Sequence, residues 1–96
     1  MSVRDSFRDA FIQTAEQRHG RVATLLEGSD GAELRAIASE LHCLSGEAAM
    51  LDYARVADLA RVAERAARAG ERTSLRRLVG ELAAAIRALH PGADGR

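Results

Sequence analysis

Apolar residues recur every three or four positions along most of the chain, which is the spacing of amphipathic helices. The predicted helices cover 3–27, 32–51, 53–69 and a fourth stretch that Thr73 or Ser74 caps and that His90 and Pro91 end. The predicted core positions are Phe7, Phe11, Ala15, Arg18, Val22, Leu25 and Leu26; Leu34, Ile37, Leu41, Leu44, Ala48 and Leu51; Val56, Leu59, Ala60, Ala63 and Ala67; and Leu75, Leu78, Val79, Leu82, Ile86 and Leu89. Four helices joined by short turns predict an all-α, antiparallel, up-down-up-down four-helix bundle.

Polar and glycine residues mark where these helices begin and end. Asp30 is the predicted N-cap of the second helix, with Glu33 three residues later in a pattern like a capping box. Asp52 is the predicted N-cap of the third helix, and Gly70 is a suitable residue just after its end. Gly20 is a weak point in the first helix, where a kink or a break is an open alternative.

Composition limits the class of protein. The 96 residues make one domain, over 1–96, with a core over about 3–90 and a flexible tail over 91–96. Zero net charge argues against nucleic acid as the main partner. The sequence has a single cysteine, no apolar run long enough to span a membrane and no signal-peptide core. We therefore predict a cytoplasmic protein without an internal disulfide, and expect a monomer.

The second predicted helix shows one histidine beside a glycine. At 100° per residue, His42 lies about 120° from the centre of the apolar face, on the shoulder next to the solvent stripe of Glu33, Glu40 and Glu47. Gly46 follows one turn later and weakens a helix by roughly 1 kcal/mol relative to alanine. A glycine without a capping role predicts that a partner approaches the backbone closely there. Packing against a neighbouring helix is the alternative.

The residues His42-Cys43-Leu44-Ser45-Gly46, followed by small residues and a leucine, resemble the histidine-containing phosphotransfer (HPt) domain. The likeness is to the phosphoacceptor domain of chemotaxis-type kinases, and it continues through Ala54–Glu64 to cover about residues 5–90. The chain departs from the family pattern at two positions. Ser45 replaces the usual lysine or arginine three residues after the histidine, and Asp52 stands where a glycine is often found.

The resemblance implies that His42 accepts a phosphoryl group and that Glu64 is the carboxylate that orients its ring. Independently of the family, Glu64 lies on the shoulder of the third helix's apolar face, from which it can reach the second helix. The alternative is that His42 is an ordinary surface histidine and that Glu64 forms a salt bridge with Arg61 or Arg68.

Ser45 can donate one hydrogen bond but brings no charge to an incoming phosphoryl group. We hypothesise that Arg35, two turns before His42 on the same face, or Arg61, one turn before Glu64, supplies that charge. If neither does, transfer is slow or the site only binds.

The implied function is that of a stoichiometric carrier and not of an enzyme. His42 would take the phosphoryl group from a sensor histidine kinase or a receiver aspartate and pass it to a response-regulator receiver aspartate. The partner would supply Mg²⁺, and the chain needs no cofactor. Docking is predicted around His42, at Ala38, Ser39, Ala49 and Met50 and on exposed parts of the first and third helices. One alternative is a non-phosphorylated HPt-like module that binds and regulates a receiver or kinase domain; another is an unrelated bundle that dimerises through its alanine-rich faces.

The spacing of the other reactive side chains does not indicate a catalytic or metal site. Cys43 lies on the polar side without a base in reach, and His42 has serine and glycine at the positions where a second metal ligand would stand, so no metal site is predicted. His19 and His90 are expected to be structural or exposed. A solvated face with paired acidic residues, or a patch that meets an acidic receiver pocket, would account for the arginines of the third and fourth helices: Arg55, Arg61, Arg65, Arg68, Arg72, Arg76 and Arg77.

Overall fold

The computed structural model describes residues 3–28 and 31–91, with only the backbone described for Arg4. It contains four helices, α1 (Val3–Leu25), α2 (Gly31–Met50), α3 (Ala54–Ala69) and α4 (Arg72–Arg87), and no strand occurs in these ranges. Each helix packs against the next, and α4 packs against α1, which closes the ring. The predicted all-α four-helix bundle is confirmed.

The core is built from apolar faces that the helical spacing predicted. Among the described residues, no polar or charged residue is buried. The largest fully buried side chains are Ile37, Leu41, Leu44, Leu75, Leu82, Ile86, Val22 and Val56. The buried face of α3 is instead mostly alanine. Because the distance between packed helices depends on the side chains at their contact, this small face lets α2 and α4 approach α3 closely.

The turn between α2 and α3 differs from the prediction. Asp52 is not the N-cap of α3: its φ of 65° is left-handed, and Tyr53 occupies the cap position without a side-chain cap hydrogen bond. The amides of Asp52 and Tyr53 donate to the carbonyls of Ala49 and Ala48, at 3.2 and 2.9 Å, in the pattern of a Schellman motif that ends α2. Aspartate tolerates this conformation better than most residues, although glycine suits it best.

Gly70 ends α3 in the same way, with φ 74° and its amide directed at Ala67, as the sequence predicted. The predicted Thr73 or Ser74 cap of α4 is wrong, because α4 begins at Arg72 and Glu71 occupies the cap position. The turn after Gly70 is so short that the chain enters α4 almost at once.

Four further predictions concern the ends and the continuity of helices. α4 ends at Arg87, and two tighter turns lead to Pro91, which disfavours helical geometry at the residue before it. α1 runs through Gly20 without a break. The predicted Asp30 cap and residues 92–96 of the predicted tail over 91–96 lie outside the described residues.

The contact between α1 and α2 is more polar than the sequence predicted. Arg18 is not a core residue: its guanidinium is half-buried and pairs with Glu47 through two hydrogen bonds of 3.0 and 2.8 Å. Its Nη1 also donates to Glu40 at 3.0 Å, and Arg21 donates to the same carboxylate at 2.9 Å. Glu40 and Glu47 therefore face α1, and both side chains are only partly exposed.

This ion-pair network shifts two pKa values. The hydrogen bond from Arg21, with that from Arg18, lowers the pKa of Glu40 below its usual value although partial burial opposes this. The hydrogen bond to Glu47 raises the pKa of Arg18. Both shifts favour the charged forms of Arg18 and Glu40, which join α1 to α2.

Two predicted core residues are exposed. Phe7 is 58% exposed, and Leu51 also reaches the surface. With Val3 and Met50 they line a shallow hollow of about 650 Å³ at one end of the bundle. Ile12, which the helical spacing did not single out, is buried instead.

Within the described ranges, no helix is long and apolar enough to span a membrane.

Candidate functional site around His42

His42 lies in the middle of α2, and its side chain is 72% exposed. Its neighbours Leu41 and Leu44 are buried in the core, so the backbone that carries the histidine is firmly held. The apolar residues of α2 face the core at helical spacing. This spacing holds the backbone at His42 in place and directs its imidazole to solvent.

Glu64 approaches His42 from the neighbouring helix α3. Its side chain is 14% exposed, and Oε2 lies 3.4 Å from Nδ1 of His42. No described residue gives the other ring nitrogen, Nε2, a hydrogen-bond partner. A carboxylate beside Nδ1 favours the tautomer with the proton on that nitrogen, which leaves the lone pair of Nε2 directed at solvent. The arrangement offers one open nucleophilic nitrogen.

Arg68 binds the same carboxylate oxygen. Its Nη2 and Nε donate to Oε2 of Glu64 at 2.7 and 3.0 Å. In the sequence, His42 and Arg68 are alternative partners of Glu64. The structure brings both to one oxygen, so Glu64 links an exposed histidine to an exposed arginine.

Ser45 does not direct its hydroxyl outward. Its Oγ donates a hydrogen bond of 2.9 Å to the carbonyl of His42, within the same helix. Side-chain bonds of this kind are common for serine in helices. In this arrangement the only proton of the hydroxyl is already donated.

Gly46 is exposed, and a Cβ added there would meet nothing within 4 Å. The alternative of packing against a neighbouring helix is therefore wrong for the described structure. The missing side chain leaves open space one turn from His42.

The two arginines that the sequence proposed as substitutes for a cation at position 45 differ in their contacts. Arg61 is paired with Asp58 at 2.6 Å on the outer face of α3. Arg35 is exposed on α2, without an ion pair to any described residue, and it lines a hollow of about 290 Å³ together with Arg68. Arg35 is thus available to an incoming anion without breaking a pair.

Three of the four residues predicted for docking are at the surface. Ser39 and Ala49 are exposed, and Met50 is 86% exposed. The prediction is wrong for Ala38, which is fully buried and belongs to the hydrophobic core. Phe7, which the sequence predicted to be a core residue, is exposed and lines the end hollow together with Met50.

The remaining side chains singled out in the sequence serve the fold or face solvent. Cys43 is exposed. The ring Nε2 of His19 lies 2.9 Å from the carbonyl oxygen of Val79, and that of His90 lies 2.8 Å from a carboxylate oxygen of Glu16. Arg61, Arg68 and Arg77 each pair with an acidic residue of the same helix, which supports the solvated-face interpretation for these three arginines. Arg72 donates to the backbone carbonyl of Gly28 at 3.1 Å. No cluster of metal-ligating side chains occurs in the described part of the chain.

The family model for the Hpt domain matches residues 6–91, which is nearly the whole chain. No curated protein and no solved structure matches the sequence.

Proposed function

Because the chain belongs to the Hpt domain family, we propose that it carries a phosphoryl group on His42 in a two-component phosphorelay. Hpt domains are phosphocarrier modules and not catalysts, and they interact with receiver domains and kinases. The observation that supports His42 as the acceptor is its geometry: an exposed imidazole with Nδ1 against Glu64 and Nε2 open.

The proposed reaction is a transfer between an aspartyl phosphate and the ring. Nε2 attacks phosphorus, the P–O bond to the partner's aspartate breaks, and the aspartate leaves as a free carboxylate. The ring keeps its proton on Nδ1 and becomes positively charged, which the carboxylate of Glu64 stabilises. The reverse step passes the group to a second aspartate, so His42 is regenerated and the chain acts as a stoichiometric carrier.

The positive charge for the phosphoryl oxygens must come from outside position 45, because Ser45 is neutral and its hydroxyl is already used. We propose Arg35 for this role ahead of Arg61, since Arg61 would have to leave Asp58. The partner would supply Mg²⁺, as a receiver's acidic pocket requires, and this chain would supply no cofactor of its own.

The partner would dock over the surface that surrounds His42. Gly46 leaves space beside the ring, and Ser39, Ala49 and Met50 offer small or apolar contacts on the same helix. Met50 lies about 12 Å along α2 from His42, given 1.5 Å per residue. We extend the proposed surface from there to Phe7 of α1.

The single cysteine also supports the proposal that this phosphoryl transfer takes place in the cytoplasm.

The decisive test is phosphorylation of the purified chain by a phosphorylated receiver or kinase from the same genome, with His42→Gln as the matched variant. We expect an acid-labile, base-stable label on the wild type, about one per chain, and none on His42→Gln. Circular dichroism of both proteins serves as the control that the variant is folded.

One observation favours a second function, a non-phosphorylated module that binds and regulates a receiver or kinase. It is the neutral Ser45 with its hydroxyl bonded to the helix backbone. Binding of a receiver by the folded wild type, without label from any donor tested, would decide for this function. Label that persists on His42→Gln would show that another residue is the acceptor.

A further inference from the structure

Glu64 is placed between two cationic or potentially cationic groups. Arg68 holds Oε2 by two donors at 2.7 and 3.0 Å, whereas Nδ1 of His42 lies 3.4 Å from that same oxygen. The arginine therefore makes the shorter contacts, and the histidine meets an oxygen whose position the arginine sets.

The rotamer freedom of Glu64 is the first reason why its contacts with Arg68 matter for the site. A glutamate side chain loses considerable conformational entropy when it is fixed in one rotamer. A single contact with a mostly exposed imidazole does not offset that loss, because exposed pairs are weak. The fork of Arg68, four residues along the same helix, adds two hydrogen bonds and keeps the carboxylate at the boundary of α2 and α3.

Charge gives the second reason. An incoming phosphoryl group is an anion, and Glu64 is a carboxylate beside its target. Position 45 carries no cation to balance that carboxylate. Arg68 does balance it, since it binds the oxygen nearest to His42. Without Arg68, the approaching anion would meet an uncompensated negative charge.

We propose that Arg68 is a positioning residue of the phosphoacceptor site, which orients and neutralises Glu64 for His42. The inference rests on the proposed function and gives a role in the site to a residue that the sequence indicates only as an alternative salt-bridge partner of Glu64. Both effects act in the same direction, so loss of Arg68 slows phosphorylation of His42.

The test uses phosphoramidate as the donor, so that no partner protein is needed. Nε2 displaces the nitrogen of the donor: a bond from His42 to phosphorus forms, the P–N bond of phosphoramidate breaks, and ammonia leaves with protons from solvent. We expect Arg68→Gln to slow labelling on the order of tenfold, which is a moderate share of what acid–base groups contribute. Arg65→Gln, the same change on an exposed arginine of the same helix, is expected to label at the wild-type rate.

Two further measurements separate positioning from a merely structural role. Arg68→Lys keeps the charge without the fork and is expected to recover part of the rate. Nitrogen-15 NMR at alkaline pH, where histidine rings are neutral, should show a well-defined Nδ1–H tautomer for His42 in the wild type and a shift toward a mixture in Arg68→Gln. The His42→Gln spectrum assigns the signals.

Equal labelling rates in wild type and Arg68→Gln, or faster labelling of the variant, would overturn the role of Arg68 while leaving the carrier function intact. Failure of the wild type itself to be labelled would count against the carrier function. In that case the tautomer measurement decides on Arg68 alone, and an unchanged His42 spectrum in Arg68→Gln would reject it.

Discussion

At the residue scale, the accessibility and the contacts of the His42 ring depend on its neighbours as much as on the ring itself. Gly46 leaves open space one turn away, Ser45 turns inward to the backbone, and Glu64 arrives from another helix. The geometry separates the two ring nitrogens into one that faces a carboxylate and one that faces solvent. This separation is what a phosphoryl carrier requires of a histidine.

Gly46 gives a prediction at this scale. Because an added Cβ meets nothing, Gly46→Ala is expected to raise the free energy of unfolding by about 1 kcal/mol, the helix propensity difference. Gly46→Leu should fold equally well and yet block transfer from a phosphorylated receiver, since its side chain would fill the space beside His42. Denaturant titration and a labelling assay measure the two effects. Normal transfer by a folded Gly46→Leu variant would refute the docking role of this position.

At the scale of helices, α1 and α2 are joined by charges as well as by the core. Arg18 and Arg21 of α1 together hold Glu40 and Glu47 of α2. Such networks stabilise through geometry that several partners share, and isolated surface pairs contribute less. The pairing also explains why Glu40 and Glu47, which a helical wheel places toward solvent, are half-buried.

The lowered pKa of Glu40 predicts how stability depends on pH. A carboxyl group whose pKa is lower in the folded state stabilises the protein above its unfolded value, and this contribution is lost as the pH falls through the folded value. We therefore expect Glu40→Gln to lower the free energy of unfolding by about 1–2 kcal/mol at neutral pH. The difference from wild type should shrink as the pH falls below about 4.5.

Denaturant unfolding of both proteins at neutral and acidic pH measures this difference. Glu81→Gln is the control, because Glu81 forms an exposed pair with Arg77 within one helix and is expected to cost less than about 0.5 kcal/mol. A Glu40→Gln effect that is the same at both pH values would contradict the interpretation of the network.

At the scale of the whole molecule, the bundle separates a core that holds α2 from a surface that surrounds His42. Two phenylalanines of α1 show the division. Phe11 is 4% exposed and stacks on Tyr53 with ring centroids 5.0 Å apart, whereas Phe7 is exposed beside Met50. An exposed aromatic ring next to a flexible methionine is typical of a contact surface.

The two phenylalanines are expected to respond differently to truncation. Phe11→Ala should cost about 3–5 kcal/mol of stability, a large part of what a domain of this size has. Phe7→Ser should change stability by less than about 0.5 kcal/mol and weaken binding of a receiver by roughly tenfold. Thermal unfolding and titration calorimetry measure the two quantities. Unchanged receiver binding by Phe7→Ser would remove α1 from the proposed docking surface.

Much of this molecule follows from its sequence because helical periodicity is a local signal. The spacing of leucines and alanines gives four helices and most of their buried faces, and the same phase places His42 at the surface and Glu64 at the edge of α3. Turn residues were less informative. Gly70 was identified because left-handed geometry suits glycine, but Asp52 has the same geometry and its side chain suggested a cap.

Only the tertiary structure decided which side chains meet. The burial of Ala38, the exposure of Phe7 and the pairing of Arg18 with two glutamates depend on how the helices are rotated and staggered against each other. The same holds for the oxygen of Glu64 that Arg68 binds beside His42. The periodicity of one helix determines which of its faces is apolar. It carries no information on which long polar side chains of the adjacent helix reach across to it, and at the candidate site Glu64 and Arg68 are such side chains.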